Sequence, residues 1–339
     1  MRLGFSTSTY AAALAKAGAL FLTTSKAVSR IWLKLPADNW VQVPVQVLIG
    51  ANNWVILKTI KNAGDDPDVT HGLVMYAVIS LRADNKIEFA PGTGIGLVTK
   101  PGLPLPPGSI AINPEPRKLI AQAIRQVTAK GINLSLHLPK GMLLAKKTFN
   151  PRLGIVGGLS ILGTSGRVRP FSLEAIRETI KLHLQSLLVQ GVKKMVLVPG
   201  HLGQKGAKKL GLDAPIVEVS NEWDCAFSYL EFKPLKELFI VGHPGKLLKF
   251  LANDFNTHSQ RSCSAVPIFK DFIFQYLGEP VHLNTVEHGF YQLNPKQRID
   301  VANILAKKIA AKILSNFSLQ AKIKVFLIDY QANILNSCS

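Results

Sequence analysis

The sequence predicts a mixed α/β (α+β) protein of two domains, and three observations predict it. Its 339 residues exceed the usual size of one domain. Strand-like segments dominate up to about residue 165, whereas helices and strands alternate beyond it. At 47% hydrophobic residues the chain can also fill sizeable cores. We therefore expect an α+β domain over 1–165 and a mostly parallel α/β sheet domain over 166–339, with helices on both faces of that sheet.

In chain order, the first element is the run Tyr10–Leu22, YAAALAKAGALFL. It superficially resembles a secretory leader, but Lys16 interrupts it and no small-residue cleavage site comes after it, so a helix packed on the core is expected. Val41–Ile49 and Leu73–Ala83 are rich in β-branched residues and read as strands; Ile132–Pro139 alternates and reads as a third. NKIEFAPG, between them, reads as a turn out into loop. Glu115–Lys130 reads as an amphipathic helix, with Pro116 in its first turn, Leu119, Ile120, Ala123, Ile124 and Val127 on one face, and Gly131 at its end. Downstream, a helix capped by Ser172 runs to about Gln190. Then come the buried strand KMVLVPG, a Lys-rich helix, the strand PIVEVS, a segment around Cys225–Phe232, the strand ELFIVG and a helix from Lys246. A long helix, Pro295–Ser315, and the strand KVFLIDY complete the set. Ligands of parallel sheets sit at the carboxyl ends of strands. Those ends are PGHLG (Pro199–Gly203), SNEWD (Ser220–Asp224) and GHPGK (Gly242–Lys246).

Composition narrows the function. The chain carries 40 Lys and Arg against 21 Asp and Glu, a formal charge of +19, which favours anionic partners. The cations are dispersed and no aromatic RNA-binding motif is present, so nucleic acid is not expected as a partner. No apolar run is long enough to span a membrane. Cys225, Cys263 and Cys338 show neither zinc nor disulfide spacing, which points to a cytoplasmic location.

Four loops concentrate the residues capable of chemistry. AGDDPDVTHG, Ala63–Gly72, gathers Asp65, Asp66, Asp68 and His71, suited to a metal site, acid/base work or a turn that caps itself. It lacks the spacing of a calcium loop, and no metal is expected. GTGIGLVTKPGLPLPPG carries Gly92, Gly94 and Gly96, but a proline-rich coil comes after them where a dinucleotide-binding loop needs a helix. Such glycines either admit a ligand close to the backbone or turn the chain. The glycine-rich run 145–166 has Lys147 and Arg152 to add charge around convergent N–H groups, but no P-loop ending; an interdomain crossover explains it equally well. VGHPGKLLKFLANDFNTHS, 241–259, turns from a strand into a helix whose first N–H groups suit a carboxylate or phosphate.

Taken together, these four stretches resemble the cobalt-precorrin-5B (C-1)-methyltransferases of anaerobic cobalamin biosynthesis, in family order from about residue 4 to 260. The resemblance implies S-adenosylmethionine as methyl donor, a cobalt-bearing polycarboxylate tetrapyrrole as small-molecule acceptor, and a fold unlike the usual Rossmann methyltransferases. Self-association is left open. The chain departs from the family pattern in STSTYA, with Ser8 for a glycine and Tyr10 for a cysteine, in PGHLG, with His201 and Leu202, and in SNEWD.

On this basis Asp65, Asp66, Asp68, Gly92, Gly94 and Gly96 are assigned to the donor, and Asp66 and His71 to proton handling, against a purely structural role for His71. Lys100, Lys147, Asn150, Arg152, Gly242, His243, Lys246, Lys249, Asn256 and His258 are assigned to the acceptor. Methyl transfer from a sulfonium is a direct displacement that needs alignment more than a protein nucleophile. The competing readings are a non-catalytic basic protein binding an anionic tetrapyrrole or nucleic acid, and a metal-dependent hydrolase built on the acidic loop.

Overall fold

A computed structural model describes residues 2–36, 39–168 and 172–336. The chain forms two compact units, Met1–Leu173 and Glu174–Ser339. The first extends past the boundary expected at residue 165 because its final strand pairs with its first.

The N-terminal unit contains β1 (Gly4–Phe5), α1 (Thr7–Thr24), β2 (Arg30–Lys34), β3 (Trp40–Pro44), β4 (Gln46–Gly50), β5 (Trp54–Ile60), β6 (Val74–Arg82), β7 (Ile87–Ala90), β8 (Leu97–Val98), α2 (Pro114–Arg125), β9 (Gly131–His137), α3 (Gly141–Ala145), β10 (Ile155–Val156) and β11 (Arg167–Val168). Its main sheet has the order β4-β5-β6-β9-β7, antiparallel except for the β7–β9 pair. Val55, Leu57, Met75, Ala77, Ile79, Leu134 and Leu136 point from it into one core. Helix α1 packs on β5 and β6 and is buried nearly all round, as a helix apolar on every side must be. A Cβ on Gly18 would lie 2.2 Å from Ile79 Cδ1, so glycine lets the helix approach the sheet. Lys16, which broke the apolar run, is buried yet satisfied: Nζ donates to Trp32 O (2.7 Å) and Gln126 Oε1 (2.6 Å) and lies over the Trp40 ring.

Three expectations for this unit are corrected. Val41–Ile49 is two strands: β3 pairs with β2 and β4 with β5, the chain changing partners at Pro44 and Val45. Proline has no N–H for a continuous ladder. NKIEFAPG is not simply loop, since Ile87–Ala90 forms β7 at the sheet edge. The α2 helix ends at Arg125, short of Lys130. Arg125 holds the turn beyond the helix, donating to Thr128 O and Lys130 O.

The C-terminal unit contains α4 (Leu173–Val189, whose first residue closes the preceding unit), β12 (Lys194–Val198), α5 (His201–Lys209), β13 (Ile216–Glu218), α6 (Trp223–Leu230), β14 (Glu237–Gly242), α7 (Pro244–Leu247) with a 3-10 turn (Leu248–Ala252), α8 (Ala265–Leu277), α9 (Val286–Gln292), α10 (Pro295–Asn316) and β15 (Lys322–Leu327). The sheet has the order β13-β12-β14-β15 and is wholly parallel. Its strands are apolar on both faces, as two covered faces require. Met195, Leu197, Leu238 and Ile240 face a large core with α4, α6, α8 and α10. Val196, Val198, Phe239, Val241 and Phe326 face Ala207 and Leu202 of α5. From β12 the chain goes first to one neighbour, β13, and then to the other side, β14. This topological switch opens a crevice at the carboxyl ends of the strands.

Candidate functional site

In the N-terminal unit the expected loops bind one another. The acidic loop lies against the chain start: Leu3 bridges Gly64, Arg2 N donates to Asp65 Oδ2 (2.6 Å), and Asp65 N donates to Arg2 O. Asp68 Oδ2 accepts from Lys61 Nζ at 2.6 Å, and that lysine is 1% exposed. Asp68 Oδ1 accepts from both Thr70 N and Thr70 Oγ1 at 2.7 Å. Burial works to raise the Asp68 pKa, but these hydrogen bonds outweigh it and hold the carboxyl below its ordinary range. His71 Nδ1 accepts from Ala63 N (3.2 Å), while the His71 backbone N–H donates to Asp68 O. The side chain of Asp66 makes no hydrogen bond among the described residues; partial burial and the neighbouring Asp68 carboxylate raise its pKa. Among the described residues no three His, Cys, Asp or Glu side chains group as metal ligands.

The glycines of the second loop permit chain-on-chain contact. A Cβ on Gly92 would lie 1.8 Å from Leu136 O, one on Gly94 2.0 Å from Leu138 O, and one on Gly96 2.4 Å from Ile155 Cγ2. Gly94 also has φ +74°, which an L side chain adopts at a cost. Loops two and three are thereby zipped: β8 pairs with β10, Gly96 N donates to Leu159 O, and Leu159 N to Gly94 O. Asn150 is buried inside this layer, donating to Gly158 O (3.0 Å) and accepting from Ser160 Oγ (3.2 Å). Lys100, Lys147 and Arg152 are exposed on it, with Arg152 over the Phe149 ring. STSTYA is the other half of the clasp. Thr7 Oγ1 accepts from Leu162 N (3.0 Å), Ser8 Oγ donates to Gly163 O (3.0 Å), and Thr9 Oγ1 donates to Gly166 O (2.5 Å). Tyr10 Oη accepts from Asn62 N (2.8 Å), and burial pushes its pKa up.

The C-terminal unit holds a cavity of about 560 Å³ at the switch point, a usual size for a small-molecule site. All three expected strand ends reach it: Pro199–Gly203 after β12, Asn221 after β13, and His243, Gly245 and Lys246 after β14; Tyr330 lies just past β15. Lys249, Thr257, His258 and Ser259 complete its wall. Lys246 Nζ donates to Asn221 Oδ1 (2.8 Å), which also accepts from Thr257 Oγ1 (3.1 Å). Burial and then the Lys249 charge lower the Lys246 pKa. Lys249, 7% exposed, donates to Ser262 Oγ (2.7 Å).

His243 is fully engaged. Its Nδ1 accepts from Gly245 N (3.0 Å), so Nε2 carries the proton donated to Glu287 Oε2 (2.8 Å). Burial lowers its pKa and favours this neutral form. The ring stacks on Tyr330 at 4.1 Å. The expected backbone cradle at the start of α7 is closed. Pro244 has no N–H, Gly245 N is spent on His243, and Lys246 N and Leu247 N both donate to His243 O. The open helix start is that of α5, which has no side-chain cap and whose first residues line the cavity. Gly242 ends β14 and takes no part in the lining. Asn256 supports the wall from behind: its Nδ2 donates to Glu222 Oε1 (2.7 Å), while Arg177 donates to Glu222 Oε2 and Asp224 Oδ2 at 2.6 Å each.

Ser262, Glu287 and Tyr330 carry no motif that marks them in the sequence, and Asn221 and Thr257 lie in the quoted stretches without being singled out. Asn221 and Tyr330 do have one readable signal, since each comes shortly after a parallel strand.

Comparison with known proteins finds relatives of the chain. The CbiD family model matches residues 1–170. The cobalt-precorrin-5B C(1)-methyltransferase of Syntrophotalea carbinolica is 39% identical over 99% of this chain and 96% of its own length. That of Methanocaldococcus jannaschii is 32% identical over 99% and 96%, and that of Moorella thermoacetica 42% identical over 76% and 72%. The crystal structure of a cobalamin biosynthesis protein (CbiD) from Archaeoglobus fulgidus is 25% identical over 76% of this chain and 82% of that one, with a TM-score of 0.41.

Proposed function

The chain belongs to the CbiD family, the cobalt-precorrin-5B C(1)-methyltransferases, and on that premise we propose that it transfers a methyl group from S-adenosylmethionine to C-1 of cobalt-precorrin-5B, giving cobalt-precorrin-6A. The observation that carries this reading is the identity of 39% along 99% of the chain, which spans both units. Likeness to methyltransferases along both units favours catalysis over storage. The enzyme acts on a small molecule in the cytoplasm; among the described residues no helix is long and apolar enough to cross a membrane.

The chain's own residues supply binding and alignment. The acceptor is an electron-rich macrocycle that attacks the methyl carbon itself, so no protein nucleophile is required, and Tyr10 in place of a cysteine is compatible with the reaction. In the N-terminal unit, Asp66 is the carboxylate available to a cationic donor, since Asp65 and Asp68 are bonded to the chain. Lys100, Lys147 and Arg152, exposed on the zipped loops, supply positive charge for acceptor carboxylates. In the C-terminal unit, Lys246, Lys249 and His258 stand on the cavity wall.

The test is incubation of the full chain with S-adenosylmethionine and cobalt-precorrin-5B, followed by mass spectrometry. The expected product carries one added methyl group, with stoichiometric S-adenosylhomocysteine. An acceptor bound but unchanged in mass refutes the catalytic reading and favours a carrier.

A further inference from the structure

We infer that the switch-point crevice of the C-terminal unit is the seat of the acceptor's carboxylates, taking two of them on Lys246 and Lys249, and that its charge excludes the cationic donor. This rests on the methyl-transfer reading for the identity of both ligands. It adds to that reading which of them the crevice takes.

Among the described residues no ion pair neutralises this wall. Both lysines line the cavity, and each has one hydrogen bond to a neutral oxygen, Asn221 Oδ1 for Lys246 and Ser262 Oγ for Lys249. An ammonium has three donors, so each retains two for a ligand. Among the described residues neither has a carboxylate within ion-pair distance, although the chain ion-pairs its most deeply buried lysine, Lys61. Two ammonium groups held close in a partly desolvated crevice are costly without an anion. The surrounding carboxylates are bonded elsewhere and form no ion pair with either lysine. Glu287 is held by His243, whose Nε2–H donates a hydrogen bond to it. Glu218 accepts from Gln204 Nε2 (2.5 Å) at the end of β13 and is outside the cavity lining. Asp254, whose carboxylate feels the Lys249 charge, accepts from Cys263 N (2.6 Å) and is also outside the lining. The open start of α5 adds partial positive charge to the same wall.

The two ligands of the reaction answer differently to such a wall. The acceptor is a ring bearing several acetate and propionate arms, and paired arms match paired ammonium groups. The donor carries a sulfonium and an ammonium against one carboxylate, so its net charge is repelled. Asn221 is then a positioning residue: with Thr257 Oγ1 behind it, it fixes Lys246 Nζ at the wall.

The test uses the full chain and reads the two ligands separately. Acceptor binding is followed by the visible absorbance of cobalt-precorrin-5B, and donor binding by calorimetry with S-adenosylmethionine. In K246Q/K249Q the acceptor Kd is expected to rise by about tenfold or more, as loss of charge-assisted hydrogen bonds implies. The donor Kd should stay within about twofold, the change short of one lost hydrogen bond. Ser259 is exposed on the rim, so Ser259→Glu adds a carboxylate without disturbing the core; it should weaken acceptor binding and leave the donor unaffected. Donor affinity lost with acceptor affinity retained would overturn the inference, as would no change in either. If the wild-type chain binds the acceptor through these lysines yet transfers no methyl group, the methyl-transfer reading fails while the seat stands.

Discussion

The acidic loop of the N-terminal unit and the lysine wall of the C-terminal unit are dense clusters of opposite charge, and they use that charge in opposite ways. In the loop most of the ionisable side chains are tied down at home: Asp68 by Lys61 and Thr70, Asp65 by Arg2, and the His71 ring by Ala63. At the wall Lys246 and Lys249 rest on neutral oxygens and line the cavity. Clustering in sequence is therefore a poor guide to a binding site. A charge left without its counter-charge is a better one, because the fold then bears a cost that a ligand relieves.

If the zipped loops are architecture, damage to them should appear first in stability. Gly94→Ala places a Cβ 2.0 Å from Leu138 O at φ +74°. We expect a loss of about 3 kcal/mol or more, read by urea denaturation. Loss of donor affinity at unchanged stability would instead make Gly94 a ligand contact. Next in size, Lys61→Met leaves the half-buried Asp68 carboxylate without its cation. A fully buried pair so broken costs roughly 3–5 kcal/mol, and the partial exposure of Asp68 reduces this to about 2–3 kcal/mol, again read by urea denaturation.

Two smaller effects depend on pH. The folded pKa of Asp68 is depressed, so its stabilisation is present above the unfolded carboxyl's ordinary value near 4 and fades as pH falls through the lower folded value. His243 is also depressed, which for a base means that the unfolded chain takes up its proton first. Stability should therefore fall as pH drops below about 6.5, and His243→Gln should flatten that part of the curve, measured by Tm against pH. Last, Asp66→Asn should change stability by less than about 0.5 kcal/mol. The sign favours the variant at neutral pH, because the folded pKa of Asp66 is raised and its ionised form is disfavoured by folding. A rise in donor Kd with that variant would sharpen the contrast, isolating Asp66 as the loop's one carboxylate without a hydrogen bond among the described residues.

Much of the C-terminal unit was legible, because a parallel sheet covered on both faces writes itself as short apolar runs: KMVLVPG, PIVEVS, ELFIVG and KVFLIDY each hold a strand. The N-terminal unit was harder. Val41–Ile49 is one pattern in sequence and two strands in space, since the change of partner at Val45 is decided by β2 and β5. Pattern alone misses β5 altogether, although Val55, Leu57 and Thr59 alternate inward. Of the site, His243, Lys246, Lys249 and His258 were legible as chemistry beside a strand end and do line one cavity. Glu222 and Arg177 were not, being 45 residues apart and joined only by folding. The same holds for Asn256, whose role as a brace depends on Glu222.

The pairing of β1 with β11, Gly4 with Val168 and Phe5 with Arg167, has a consequence for synthesis. A chain made from its N-terminus exposes α1, apolar on every side, long before the residues that seal the strand ahead of it exist. The first unit cannot finish folding until nearly all of it has left the ribosome, and this late closure is a long-range contact of the kind that slows folding. Ends that meet are also ends that can be joined. A circular permutant of this unit, linked across β1 and β11 and opened at the exposed hairpin tip of residues 51–53, should keep the same sheet while relieving α1 of its wait.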